Sequence, residues 1–158
     1  MIHEGTNGIQ SLDLLGRKAK VGMPILVQRI KQDISRARRS DDKDVQAHAQ
    51  ALYNALLRLD ETTMTLVGTA GPNPKIALAN SHEYLNMAGH TVIAWMWLRQ
   101  ELAAIEAASI QQVSKEFSEG KRFASRYFFR HELPKTIAQS QLLRTLDTTV
   151  LEMQASFF

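Results

Sequence analysis

The feature that most constrains the fold is a seam of apolar residues in the first half of the chain. Val45, Ala49, Leu52, Leu56, Leu59, Thr63 and Leu66 recur at intervals of 4, 3, 4, 3, 4 and 3. Such spacing keeps one face of a helix apolar for about six turns, and a face that long must be covered by other helices. The rest of the chain follows the same periodicity. Ile9, Leu12, Leu15 and Ala19 form a first stripe, and Ile25, Ile30, Ile34 and Ala37 a second. Gly22-Met23-Pro24 is expected to separate them, with Pro24 in the first turn of the second helix, where its missing N–H costs nothing. Arg38-Arg39-Ser40-Asp41-Asp42 reads as a linker. The seam helix should end at Gly68–Pro74, and a third long helix should run from about Ile76 to Ala107 with a bend near Gly89. Its main stripe is Tyr84, Ala88, Trp95, Leu98, Leu102 and Ile105. Val92 to Leu98 is apolar on every side and is expected to be enclosed.

A fourth helix is expected from Ile110 to Leu133, with Val113, Phe117, Ala124 and Phe128 inward. After Pro134 a last helix carries Ile137, Leu142, Leu146 and Leu151. No stretch alternates with period two. Eight glycines and four prolines in 158 residues are fewer than the roughly 12% usual in globular chains. The fold class is therefore all-α, an antiparallel helical bundle.

Composition removes several chemistries. There is no cysteine, so disulfides, thiolate metal sites and a Cys nucleophile are excluded. The longest apolar run has seven residues, against about 20 for a spanning helix, so no membrane is expected. The N-terminus lacks the pattern of a secretory signal, and a cytoplasmic location is expected. None of His3, His48, His82, His90 and His131 stands three residues after a Glu or in His-Glu-x-x-His, so no metal site is expected. Gly68 to Lys75 lacks the Gly-Lys-Ser/Thr ending of a phosphate loop and reads as a turn. Arg122, Arg126 and Arg130 share one helix face. They read as a salt-bridged stripe, the sharper alternative being an anionic partner; no nucleic acid is expected, because no basic–aromatic recognition pattern accompanies them. Trp95, Trp97, Tyr127, Phe128 and Phe129 read as core or interface anchors.

The first seventeen residues carry the most specific signal. Glu4-Gly5-Thr6-Asn7-Gly8 precedes a helix that Thr6 or Asn7 could cap. The N–H groups of such a helix start can bind an anion. Glu4 then reads either as a base beside a bound group or as a carboxylate that favours the helix dipole. Glu-Gly-Thr-Asn-Gly-Ile-Gln followed by Leu-Asp-Leu-Leu-Gly-Arg-Lys resembles the C-terminal active-site segment of flavin-dependent acyl-CoA dehydrogenases. The resemblance is to the subgroup with an extra C-terminal helical domain, similar to 3-methylthiopropanoyl-CoA dehydrogenase. Gly120-Lys121, Ala124-x-x-Tyr127-Phe128-Phe129 and Glu132-Leu133-Pro134 agree in style.

The resemblance implies that Glu4 is the base that removes the α-proton of an acyl-CoA while the β-hydrogen leaves as hydride to FAD. A carboxylate near its usual pKa of about 4.3 needs a dry site and an oxyanion partner for that task. Gly5 would lie against the substrate, and Thr6, Asn7 and Gly8 would touch FAD. His3 stands where the family commonly has an aromatic residue. Residues 1–39 would correspond to the end of the dehydrogenase helical domain and residues 44–158 to the extension. The resemblance also implies that the parts holding most of the flavin and CoA are not in this chain. It therefore looks truncated, is expected to bind no FAD alone and is expected to be inactive alone. The partners implied are a second copy or a companion dehydrogenase subunit. The alternative reading is a non-catalytic helical assembly module.

Overall fold

The computed structural model describes residues 6–158. Among them there is no strand, and the architecture is an all-α bundle built on two long central helices, α3 (Lys43–Ala70) and α5 (Ser81–Ser109). Before them come α1 (Thr6–Asp13), a π-turn at Leu14–Lys18 and α2 (Ala19–Ala37). The short α4 (Pro74–Leu78) fills the corner between the central helices and starts on Pro74. After them come α6 (Lys115–Tyr127), a second π-turn at Phe128–Glu132, α7 (Lys135–Arg144) and the terminal turn α8 (Thr149–Glu152). α2 packs on α3, α6 on α5, and α7 across both central helices.

All seven residues of the α3 seam are buried. Val45, Ala49, Leu52 and Leu56 meet Ile30, Ile34 and Ala37 of α2 and Ala94 and Leu98 of α5 in one cluster, closed by Phe129 of the second π-turn and Leu133 just after it. A second cluster joins Leu15, Ala19 and Met23 to Leu59, Leu66, Tyr84, Met87 and Leu143. Asp42 starts α3 by accepting from the N–H groups of Asp44 and Val45 at 2.9 and 3.2 Å. That is the N-cap geometry its residue type favours. Trp95 ties α5 to α2 through a 2.7 Å hydrogen bond from Nε1 to Asp33.

The helices depart from the sequence reading at several points. No break occurs at Gly22-Met23-Pro24, because Pro24 lies inside α2. A proline there removes one helical hydrogen bond and costs about 3 kcal/mol. Here Pro24 and Lys20, whose carbonyl it releases, both lie on the exposed side of the helix. Ala19, Met23, Ile30 and Ile34 hold the helix from both sides. The real irregularity is the π-turn upstream. It stretches the repeat, so the buried face runs Ser11, Leu15, Ala19, Met23 at intervals of four, and Ile9, Leu12 and Ile25 are left exposed. Of the first two stripes, Leu15, Ile30 and Ile34 are covered by the chain's own α3 and α5. The same stretched turn lets both Arg17 and Lys18 reach Asp13, at 2.6 and 2.7 Å. Those two cations hold the Asp13 carboxyl at about 2.

Other corrections concern orientation. Ile93 is 47% exposed and Val92, Met96 and Trp97 are half-buried, so the apolar stretch of α5 is open on one side. α6 begins at Ser114, which caps it by accepting from Phe117 N–H at 3.2 Å. Gln111 lies in the left-handed region with φ 59°, so no helix runs through Ile110. Phe117 points outward, as do Ile137, Leu142 and Leu151. Their places in the core are taken by Phe129, Leu133 and Leu143.

Candidate functional site

Glu4 and Gly5 lie outside the described residues. Thr6, Asn7 and Gly8 form the first turn of α1 and are exposed. Thr6 is already helical, so neither it nor Asn7 is the capping residue. The turn is fixed from below: the Ser11 hydroxyl donates to Gly8 O at 2.8 Å and lies 3.1 Å from the Ser81 hydroxyl at the start of α5. A Cβ at Gly8 would meet nothing within 4 Å, so the side of the turn is open. Among the described residues no walls stand around Thr6, Asn7 and Gly8 that would enclose a whole flavin dinucleotide.

An apolar groove of about 370 Å³ lies between the first π-turn and α2 on one side and α5 on the other. Leu14, Met23 and Leu26 line one side and Tyr84, Leu85 and Val92 the other. Its volume is that of a small ligand pocket. It holds no acid or base free to react: Lys18 is engaged by Asp13, and the Tyr84 hydroxyl lies 2.7 Å from that of Thr63. Burial raises the Tyr84 pKa above the ordinary phenol value.

The most concentrated polar chemistry in the core was not singled out from sequence. His48 Nδ1 lies 2.8 Å from Glu101 Oε2, and the Ser125 hydroxyl donates to the same oxygen at 2.8 Å. Glu101 is 1% exposed, and Phe129 stacks on the imidazole with ring centres 4.3 Å apart. Glu101 Oε1 has no hydrogen-bond partner among the described residues. The residue types are those of a hydrolase triad, but the wiring differs. The hydroxyl is on the carboxylate and not on the imidazole, and all three groups are shut from substrate. The constellation fastens α3, α5 and α6 together. The readable signal was a glutamate on the inward stripe of α5, three residues after Leu98.

Two of the three arginines of the stripe are spent within the chain. Arg122 reaches Asp42 at 2.6 Å and Glu119 at 3.2 Å, and Arg126 reaches Asp44 at 2.7 Å. The reading of this face as a solvated ion-pair stripe is the one the geometry bears out for these two. The Arg126 hydrogen bond holds the Asp44 carboxyl below the ordinary aspartate value. A carboxyl depressed in the folded state contributes stability above its unfolded pKa, and that contribution is lost as pH falls through the folded pKa. Asp44→Asn should therefore flatten the acid limb of stability below about pH 4. At neutral pH it should cost under about 1 kcal/mol, since Asp44 is 45% exposed and solvent screens the pair. Urea melts at several pH values give both numbers, and an unchanged acid limb would remove Asp44 from the pH response. Among the described residues no group of three or more His, Asp or Glu is placed to hold a metal. No helix among them is long and apolar enough to cross a membrane.

An all-α bundle with a glutamate-glycine-threonine motif leading into its first helix is the architecture expected of a dehydrogenase C-terminal region. Comparison with known families agrees: residues 26–154 match the family described as acetyl-CoA dehydrogenase C-terminal like, and the chain belongs to that family. It is also similar to the broad-specificity linear acyl-CoA dehydrogenase FadE5 of Mycobacterium tuberculosis, at 24% identity over 175 residues. That alignment covers 99% of this chain and 27% of the relative, so the chain spans about a quarter of the protein it matches.

Proposed function

We propose that the chain is the C-terminal part of an acyl-CoA dehydrogenase-like flavoprotein and that by itself it is inactive. The observation that carries this reading is the family match over residues 26–154, with the Glu4-Gly5-Thr6-Asn7-Gly8 segment on its N-terminal side. In this reading Glu4 takes the α-proton of an acyl-CoA thioester, Gly5 lies along the acyl group, and the first turn of α1 presents Thr6, Asn7 and Gly8 to the edge of FAD. FAD supplies the hydride acceptor, and residues outside this chain hold most of it. Residues 1–39 then continue a dehydrogenase helical domain into the extension formed by residues 44–158. The support is that α1, the first π-turn and α2 follow one another without a loop from Thr6 to Ala37.

The second reading is a helical assembly module without chemistry of its own. The exposed aromatics of α6 favour it. Two measurements test the pair of readings. The purified chain should carry no flavin absorbance and should not oxidise acyl-CoA with an artificial electron acceptor. Stoichiometric flavin, or turnover abolished by Glu4→Gln, would overturn the inactivity. The coding sequence beside the segment for this chain should encode a flavin-binding dehydrogenase body or lie near one. Unrelated sequence there would favour the assembly module.

A further inference from the structure

Among the described residues three arginines are half-buried: Arg58, Arg122 and Arg126. Two of them meet carboxylates, Arg122 at 2.6 Å and Arg126 at 2.7 Å. Arg58 of α3 forms no ion pair among the described residues. Its hydrogen bond runs from Nη2 to the Thr136 hydroxyl of α7, at a long 3.3 Å. Its Nε is sealed from solvent and has no partner among the described residues. Burial pushes the guanidinium below the ordinary arginine value. A charge taken out of water without a counter-charge costs free energy, and here the chain supplies nothing that offsets it.

Arg58 borders a hollow of about 200 Å³. The apolar lining is Phe129 of the second π-turn, Leu133 and Pro134 after it, and Ile137 of α7. The polar side chains on the hollow are Asn54 and Arg58, one turn apart on α3. Asn54 Oδ1 already accepts from the Gln50 amide at 2.9 Å, so what Asn54 has left to offer is its N–H₂ group. Both polar side chains therefore present donors. Donors beside an apolar wall call for a ligand with an acceptor-only head and an apolar body. A carboxylate is such a head, planar and matched to the guanidinium fork. A single arginine balances a single negative charge, which favours a monoanion over a phosphate. The hollow is smaller than the roughly 300–1,000 Å³ of drug-sized ligand pockets. It has room for one ring or a short branched chain and not for a nucleotide.

We propose that the hollow between α3 and the start of α7 binds a small organic monocarboxylate, with the carboxylate on Arg58 and Asn54 and the apolar body against Phe129, Leu133 and Ile137. The inference does not depend on the dehydrogenase reading. Benzoate is the probe, titrated into the millimolar range against the whole chain in a carboxylate-free buffer. The readout is the methyl NMR signals of Leu133 and Ile137. Those signals should shift saturably with benzoate. Benzyl alcohol, which keeps the ring and lacks the charge, and acetate, which keeps the charge and lacks the ring, should each bind about tenfold more weakly or worse. Arg58→Met should weaken benzoate by a similar factor and leave the urea midpoint unchanged or higher, since it removes an unpaired buried charge. Arg58→Lys should retain part of the binding. The absence of a saturable benzoate shift overturns the proposal, as does benzyl alcohol or acetate binding as well as benzoate. Unchanged benzoate binding in Arg58→Met overturns it too. A lowered urea midpoint in Arg58→Met would show that the arginine serves the fold, and overturns it equally.

Discussion

Leu56→Ala and Leu98→Ala should each destabilise the bundle by about 2–5 kcal/mol. Both side chains are fully buried in one cluster, where α2, α3 and α5 meet. Truncation removes the transfer free energy of the lost carbons and leaves a cavity that long helices anchored at both ends cannot readily close. Stability of this order is a large share of the total for a single domain. Both variants should therefore melt at visibly lower urea concentration, with little change in slope. A loss under about 0.5 kcal/mol in both would mean that the α3 seam does not pack as described.

Glu101→Ala should rank with them for a different reason. Its carboxylate is the shared partner of His48 and Ser125, and among the described residues neither side chain has another hydrogen-bond partner. Removing it strands two buried polar groups at about 1–3 kcal/mol each and opens a cavity as well. Replacing Glu101 and His48 together by apolar residues of similar volume should recover much of the loss, because a buried polar pair is often neutral against a well-packed apolar one. A double variant no more stable than Glu101→Ala would argue that the network does more than fasten helices. A Glu101→Ala variant as stable as the parent would remove its structural role.

How far the fold was legible depended on how local its causes are. The α3 seam was readable because every seam residue meets the core at an ordinary helical repeat, from Val45 to Leu66. The first helices were misread in register because a π-turn leaves no compositional mark. Leu14–Lys18 looks like any amphipathic turn, yet its extra residue moves the buried face from Leu12 to Ser11 and leaves Ile9 in water. Pro24 was overvalued as a breaker, since the apolar contacts on either side of it lie far away in sequence. Phe117 was expected inward and faces solvent, while Phe129, read as a core or interface anchor, enters the core from the second π-turn. For the site, the motif at Glu4 was legible through its resemblance to a family. The His48–Glu101–Ser125 network joins residues 53 and 24 positions apart, a proximity that no local pattern announces.

The ion pairs between α6 and the start of α3 have a kinetic consequence. Asp42 caps α3 and also receives Arg122, while Asp44 in the first turn receives Arg126. The partners are about 80 residues apart, so each contact closes a large loop of chain, and loop closure of that length is an entropic cost met late in assembly. The first-turn amides of Asp44 and Val45 are thus protected by a carboxylate whose position depends on a distant helix. Opening of that distant helix and fraying of this turn become one event. In hydrogen exchange, these two amides should keep time with the undocking of α6 and not with the slower unfolding of the α3 interior.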